Sequence, residues 1–322
     1  MESTTKPNWL ATLFRIDGSV AVIVLPRILV FTAFTLVICG VDYLGYPIYL
    51  KEVGNLTTNV VYNLVLGLLL VFRTNTSYDR FWDGRKAWGI IVVNSRNLAR
   101  QVALHWPTKA PASSKDRDAL LNLLIAFSLA TKQHLRSEPI DDQLQALVSS
   151  EQAQSLAAAK HPPLQVAGWI GAHLQKALQQ GIIDSNQASN LNQSLNQMVE
   201  GLSSCERIST TPLPIAYRVY LKRLILIYCV GLPFRWVSEI HGWAIPMVAI
   251  VSFILLGLEE VGRELENPFG HDANDLPIND ICQTIANNVN EVKAIDTSAV
   301  ITSPASDSNF VTSPVDMSLE GV

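Results

Sequence analysis

Long apolar runs dominate the pattern along this chain. Residues 19–41, 56–72, 217–234 and 242–258 are each apolar-leaning over seventeen or more positions. A helix of that length spans the roughly 30 Å hydrocarbon core of a bilayer, so the pattern predicts four membrane-crossing helices. The first contains Pro26, which predicts a kink, and Arg27, which lies near enough to the inner end to snorkel. Residues 42–55 read as a short loop whose Tyr43, Tyr46 and Tyr49 suit an interfacial belt. No proline follows the second run until Pro107, which predicts a helix continuing unbroken to about Arg100. Asn63 and Gly67, four apart on it, suit close helix contact. The third run starts with Arg218, Lys222 and Arg223. A polar turn holding Arg235, Glu239 and His241, bracketed by Pro233 and Pro246, joins it to the fourth as a hairpin.

Charge then sets the orientation. Residues 73–100 read RTNTSYDRFWDGRKAWGIIVVNSRNLAR, with six Lys/Arg against Asp79 and Asp83, whereas residues 42–55 hold only Lys51. Basic residues beside a span stay on the cytoplasmic side, which places Arg73 and both termini inside and residues 42–55 outside. Glu2 and Asp17 ahead of the first run, with no small-residue cleavage site after it, argue against a secretory signal. The expected division is a cytosolic N-terminus (1–18), two spans with a cytosolic helical extension (19–104), a cytosolic helical region (105–212), two spans with a following cytosolic helix (213–290) and a Ser/Thr/Pro-rich disordered tail (291–322). In the cytosolic region residues 120–135 are helical in pattern. Leu191, Leu195, Met198 and Leu202 recur at spacings of four, three and four, one packing stripe. Pro162-Pro163, Gly181 and Pro212 punctuate it.

Composition agrees with a chain half in the membrane. Of its 322 residues 48% are hydrophobic and 16% charged, against about 25% charged in soluble domains, and mean hydropathy is +0.22. A net charge of −4 argues against a nucleic-acid partner. Cys39, Cys205, Cys229 and Cys282 lie far apart, and His105, His134, His161, His173, His241 and His271 form no ligand spacing, so no disulfide framework, metal site or cofactor is expected. There is no nucleophile elbow, P-loop or H-E-x-x-H motif, and the chain does not read as an enzyme. Glu259, Glu260, Glu264 and Glu266 form the one carboxylate cluster, read as a solvated helix end with Arg263 as internal counter-charge. Asp272-Ala-Asn-Asp275 lacks the spacing and closing Glu of a calcium loop and reads as a turn or cap. Leu64, Leu68 and Phe72 form an apolar stripe on the second span, drifting about 40° per step of four. By composition alone it is a lipid-contact or packing face; it lines a pore only if several copies of the helix ring an axis.

Particular residues carry a family resemblance. FRTNTSYDRFW from Phe72, RKAWG from Arg85, SRNLA from Ser95, PLPIAY from Pro212 and GLEEVGRELENPFG from Gly257 to Gly270 resemble the bestrophins, in their bacterial branch, and the similarity runs from about Ile16 to about Asn288. The resemblance implies an all-α membrane protein: four transmembrane helices continuing into a cytosolic helical domain, assembled as a homopentamer around one central pore. By position, the implied neck rings are Leu64, Leu68 and Phe72. Leucines at the first two are a mild departure, since the family often has aromatic residues or Ile there. The implied cytosolic aperture is Leu213, before Pro214. Calcium-activated members have a longer acidic run after Asn-Pro-Phe-Gly; here only Asp272 and Asp275 remain, so calcium gating is not carried over. The expected function is a channel in the cell inner membrane passing small monovalent anions such as chloride. The alternatives are a monovalent-cation channel of the same fold and a non-conducting scaffold. The expected partners are the lipid bilayer, monovalent ions and copies of this chain.

Overall fold

The structure, a computed structural model, describes residues 18–46, 51–106 and 111–295. Tyr49, most of the expected cytosolic N-terminus and the tail from Asp296 onward lie outside the described residues. Every regular element among the described residues is helical. α1 spans Val20–Tyr43, α2 Lys51–Thr58, α3 Val60–His105, α4 Pro111–Arg136, α5 Asp142–Gln145, α6 Ser150–Ala158, α7 Pro162–Gln179, α8 Ser185–Thr210, α9 Ile215–Ile240, α10 Ala244–Glu266 and α11 Ile278–Ala294.

Among the described residues, three stretches are long and apolar enough to cross a membrane: Val20–Tyr43, Val60–His105 and Ile215–Glu266. The third is broken at His241–Trp243, a single 3₁₀ turn. His241 sits at φ 48°, where the chain reverses. Arg218 at the start of α9 lies 3.8 Å from Glu266 at the end of α10, so the two helices run antiparallel. The break falls between the two prolines, but the turn is shorter than expected: Arg235 and Glu239 continue α9. Pro233 is inside α9, in the last two turns before the reversal, and Pro246 is inside the first turn of α10, where a backbone N–H has no helical partner to lose.

α3 is one unbroken helix of 46 residues, about 69 Å long at 1.5 Å per residue. It is twice what a bilayer core needs, so about half of it extends beyond a single crossing. Two corrections apply at its start. The helix begins at Val60, capped by the Asn59 side chain accepting from the Tyr62 N–H at 3.1 Å. Leu56, expected in the span, belongs instead to α2, which occupies the second half of the expected loop. α2 packs on α9 so closely that a Cβ at Gly231 would stand 2.8 Å from Thr57 Cγ2. That close approach needs glycine there, and it makes α2 a docked element where a free loop was expected.

Among the described residues, the two larger buried clusters divide α3 between them. Val24, Ile28, Leu66, Leu70, Leu221, Ile225 and Leu256 bring α1, α3, α9 and α10 together. Trp88, Ile91, Leu98, Leu124, Phe127 and Ile285, among others, bury the far half of α3 against α4, α8 and α11. The stripe Leu191, Leu195, Met198 and Leu202 is buried in this second core, as its spacing implied. Around the first core, Leu25, Leu29, Leu36, Val37, Leu226, Ile250, Phe253 and Ile254 are exposed. A surface that apolar needs a bilayer or neighbouring subunits to cover it.

The candidate pore and its buried charge network

Leu64, Leu68 and Phe72 lie on the outward face of α3, 66%, 50% and 55% exposed within the chain. Leu66 and Leu70, on the opposite face, are buried in the membrane core. The helix therefore packs through one face and offers the other to something outside this chain. Gly67 is on that open side, with nothing within 4 Å of where a Cβ would stand, so it supports no helix contact inside the chain.

One residue beyond Phe72 the chemistry changes. Arg73 is 1% exposed. Its Nη1 lies 3.2 Å from Glu259 Oε1 and its Nη2 3.7 Å from Glu266 Oε2. The face of α10 that receives it carries Glu259, Gly262 and Glu266, at i, i+3 and i+7, one stripe of the helix. Gly262 leaves room for it: a Cβ there would sit 3.1 Å from Arg73 Nε, tighter than an ordinary contact. The carboxylate cluster is thus not a solvated helix end. Glu259, Glu260, Glu264 and Glu266 are all buried. Charges taken out of water must be paired, and for Glu259, Glu260 and Glu266 the partners come from four helices. Arg27 of α1 lies 3.0 Å from Glu260 and 3.9 Å from Glu259, pairing where it was expected to snorkel. Lys222 and Arg218 of α9 approach Glu259 and Glu266 at 3.9 and 3.8 Å. Arg263 pairs with Glu260 at 2.5 Å, the internal counter-charge read from the sequence.

The network reaches Leu213. Its backbone N–H donates to Glu266 Oε1 at 3.1 Å, and Leu213 itself is half-buried in the link between α8 and α9. Arg80, two turns beyond Arg73 on α3, fixes the same link from the other side. Its guanidinium donates to the carbonyls of Ile208 (2.6 Å), Thr211 (2.5 Å) and Glu266 (3.1 Å). These are carbonyls that helix ends leave unpaired. Phe72 and Leu213 are therefore tied through one set of side chains, Arg73, Glu266 and Arg80. The Asn267-Pro-Phe-Gly270 turn packs on the same helix: a Cβ at Gly84 would stand 3.1 Å from Phe269 Cε1, and the Arg136 Nε donates to the Phe269 carbonyl at 3.0 Å.

The loop after that turn is held by amides and carboxylates. Asn274 Nδ2 donates to the Gly18 carbonyl at 3.1 Å and to Glu264 Oε2 at 2.8 Å, tying the start of α1 to the end of α10. Asp275 Oδ2 accepts from the Asp272 N–H at 2.7 Å, and burial pushes the Asp275 carboxyl up to about 6.

With this arrangement in hand, the comparisons with known proteins are decisive. The profile of the family described as "Bacterial/Fungal Bestrophin protein" matches residues 1–291. The chain belongs to the bestrophins. A voltage-dependent anion channel-forming protein of Nostoc is 44% identical over 296 residues, 91% of this chain and 94% of the relative. A protein of the same description from Escherichia coli K12 is 30% identical, covering 86% and 89%. Among solved structures, a bestrophin homologue from Klebsiella pneumoniae superposes with a TM-score of 0.74 at 26% identity, covering 84% of this chain and 98% of that one. The relatives' names describe channel formation and not catalysis, in line with the missing catalytic motifs. This bestrophin is a membrane protein of the channel class.

Sequence reasoning singled out the bestrophin motifs but not the roles that the packing gives them. Arg73 and Arg80 were read as charges that set orientation, yet Arg73 neutralises two buried acids and Arg80 holds a helix end. The signal available was the Glu259/Gly262/Glu266 stripe, a small residue between two acids on one helical face, which suits the docking of a long cation.

Proposed function

We propose that this bestrophin is a pentameric anion channel whose neck is lined by Leu64, Leu68 and Phe72 and whose cytosolic aperture is Leu213. The observation that carries the reading is the division of α3: one face is buried in the chain's own core, and the other is an exposed apolar stripe directly before the buried Arg73. Four crossings put both termini and residues 108–212 in the cytoplasm beneath the plasma membrane. Apolar rings desolvate either sign of ion and do not choose between them. Bare acids in the inner vestibule would favour a cation channel, but Glu259, Glu260 and Glu266 are buried against arginines and a lysine, and Glu264 is buried and accepts from the Asn274 amide. The related channel-forming proteins are named for anions.

Purified protein in a planar bilayer with asymmetric KCl tests the reading. Currents should reverse toward the chloride equilibrium potential. Reversal toward potassium would establish the cation channel instead, and a silent bilayer the non-conducting scaffold.

Topology is checked by cysteine labelling in intact cells, in a background lacking Cys39. Lys115 is exposed on α4 and Asn55 on α2; Gly54 is unsuitable because a Cβ there would stand 3.2 Å from the Arg235 backbone nitrogen. A membrane-impermeant maleimide should label Asn55→Cys from outside and Lys115→Cys only after lysis. The opposite pattern would invert the topology.

Opening should not require micromolar calcium. The Asn274 amide already bridges Gly18 and Glu264 by hydrogen bonds, and only Asp272 and Asp275 are left as acids in the loop. Currents with and without a strong chelator should agree. Abolition by the chelator would show that these two acids still build a calcium site.

A further inference from the structure

His134, His161 and Glu206 come from three different helices and meet at one point. His134 is in the last turn of α4, His161 is the residue just before α7, and Glu206 lies near the end of α8. The Nε2 atoms of His134 and His161 stand 2.8 and 2.6 Å from the same oxygen, Glu206 Oε1. The two imidazoles face each other with centroids 4.5 Å apart, tilted by 31°. All three donor atoms lie within 4.8 Å of one another, and all three side chains are partly exposed. The sequence reading, which expects no metal, had no access to this: the residues are 27 and 45 positions apart, and only the packing of α4, α7 and α8 brings them together.

We propose that His134, His161 and Glu206 form a binding site for a divalent transition metal of the zinc class, with water completing its coordination. Two imidazoles and a carboxylate suit zinc or cobalt and not calcium or magnesium, which prefer all-oxygen shells. The geometry needs little adjustment. Ligand atoms about 2.0–2.1 Å from a tetrahedral ion are about 3.3 Å from one another. The two Nε2···Oε1 distances therefore have to open by roughly 0.5–0.7 Å, which partly exposed side chains reach by small torsional changes. The partial exposure also leaves room for water and a route of entry.

Binding moves protons in a defined way. Each imidazole must present its Nε2 lone pair, so its remaining proton sits on Nδ1. In the metal-free arrangement His161 Nδ1 accepts from the Leu164 N–H at 3.3 Å, the weak end of hydrogen-bond length. Metal binding gives up that cap. The loss is small, because Pro162 and Pro163 have no N–H to cap and Leu164 is exposed, so water takes the one N–H that is freed. In return the ion ties α4, the start of α7 and α8. Glu206 is two residues before Ile208, whose carbonyl Arg80 holds.

The test uses the full-length protein with its affinity tag removed, stripped with chelator in detergent. Titration with cobalt(II) should give the visible absorption of a tetrahedral site, saturating at about one ion per chain, and zinc should bleach it. His134→Ala and Glu206→Gln, eluting on size exclusion as the parent does, should each weaken binding at least about tenfold, since loss of even an outer-shell partner costs that much. Should a variant misassemble, the unaltered protein decides alone: zinc should protect His134 and His161, but not the exposed His241 or His271, from diethylpyrocarbonate, read by peptide mass spectrometry. Absence of both the cobalt band and the protection, or unchanged binding in well-assembled variants, would show the cluster to be a hydrogen-bonded histidine pair on a carboxylate and overturn the proposal.

Discussion

Arg73→Met should leave little correctly assembled protein. Arg73 is buried between Glu259 and Glu266, with its Nη groups 3.2 and 3.7 Å from their oxygens. Methionine fills much of the same space, so the expected loss comes from charge and not from a cavity. Two buried carboxylates lose their main counter-charge, and stranding a buried charge costs about 3–5 kcal/mol, a large part of a typical total stability of about 5–15 kcal/mol. Lys222, Arg27 and Arg218 stand 3.8–3.9 Å from the same two acids and are themselves partly exposed, so they compensate only in part. Fluorescence-detected size exclusion after heating should show a markedly lower midpoint or loss of the assembled peak. The double variant Arg73→Met/Glu259→Gln should recover part of the loss, because it removes one of the stranded charges. Arg73→Lys should recover less than its charge suggests, since a single ammonium cannot reach two carboxylates as the guanidinium fork does. A midpoint for Arg73→Met within about a degree of the parent would mean that the two acids carry protons or find other partners, and the charge network would not be what holds α3 to α10.

What the sequence disclosed and what it hid follow one physical rule. Features written along a single helix could be read. The absence of proline between Pro47 and Pro107 announced the long α3, and the spacing of Leu191, Leu195, Met198 and Leu202 announced a buried stripe. Features made by helices meeting could not. Glu259, Glu260 and Glu266 looked like part of an exposed polar end because their neutralising partners, Arg27, Arg73, Arg218 and Lys222, sit 37 to 233 positions away and pattern alone does not show that they converge. The histidine–glutamate cluster was invisible for the same reason. α2 was taken for loop because eight residues with Gly54 and Asn55 in their middle carry little helical signal; its apolar contact with α9 is what makes it a helix. The motif glycines fall between these cases. Gly84 and Gly262 stood out as part of a resemblance, but only packing shows that one admits Phe269 and the other Arg73.

Leu68→Ala should raise conductance while leaving the fold intact. Leu68 is the middle member of the exposed stripe, 50% exposed, and Leu66, about half a turn away, is 3% exposed in the membrane core. The two leucines therefore offer the same chemical change on opposite faces of one helix. In the proposed neck, symmetric copies of Leu68 form an apolar ring. An ion crossing it gives up hydration that no side chain replaces, so the ring is a barrier whose height depends on whether water can stay inside. Removing an isopropyl group from every copy widens the ring and lets water persist, and single-channel conductance should rise several-fold. The cost to folding should be small, because the removed atoms make few contacts within the chain. Leu66→Ala removes the same atoms from a packed site against α1, α9 and α10, where such truncations cost about 2–5 kcal/mol. It should lower the thermal midpoint and the yield of assembled protein without widening the pore. The crossed pattern is the test: current rising in one variant, stability falling in the other. Equal conductance in the parent and both variants would place the stripe against lipid or a neighbouring subunit, and the ion path would then have to be lined by a different face of the assembly.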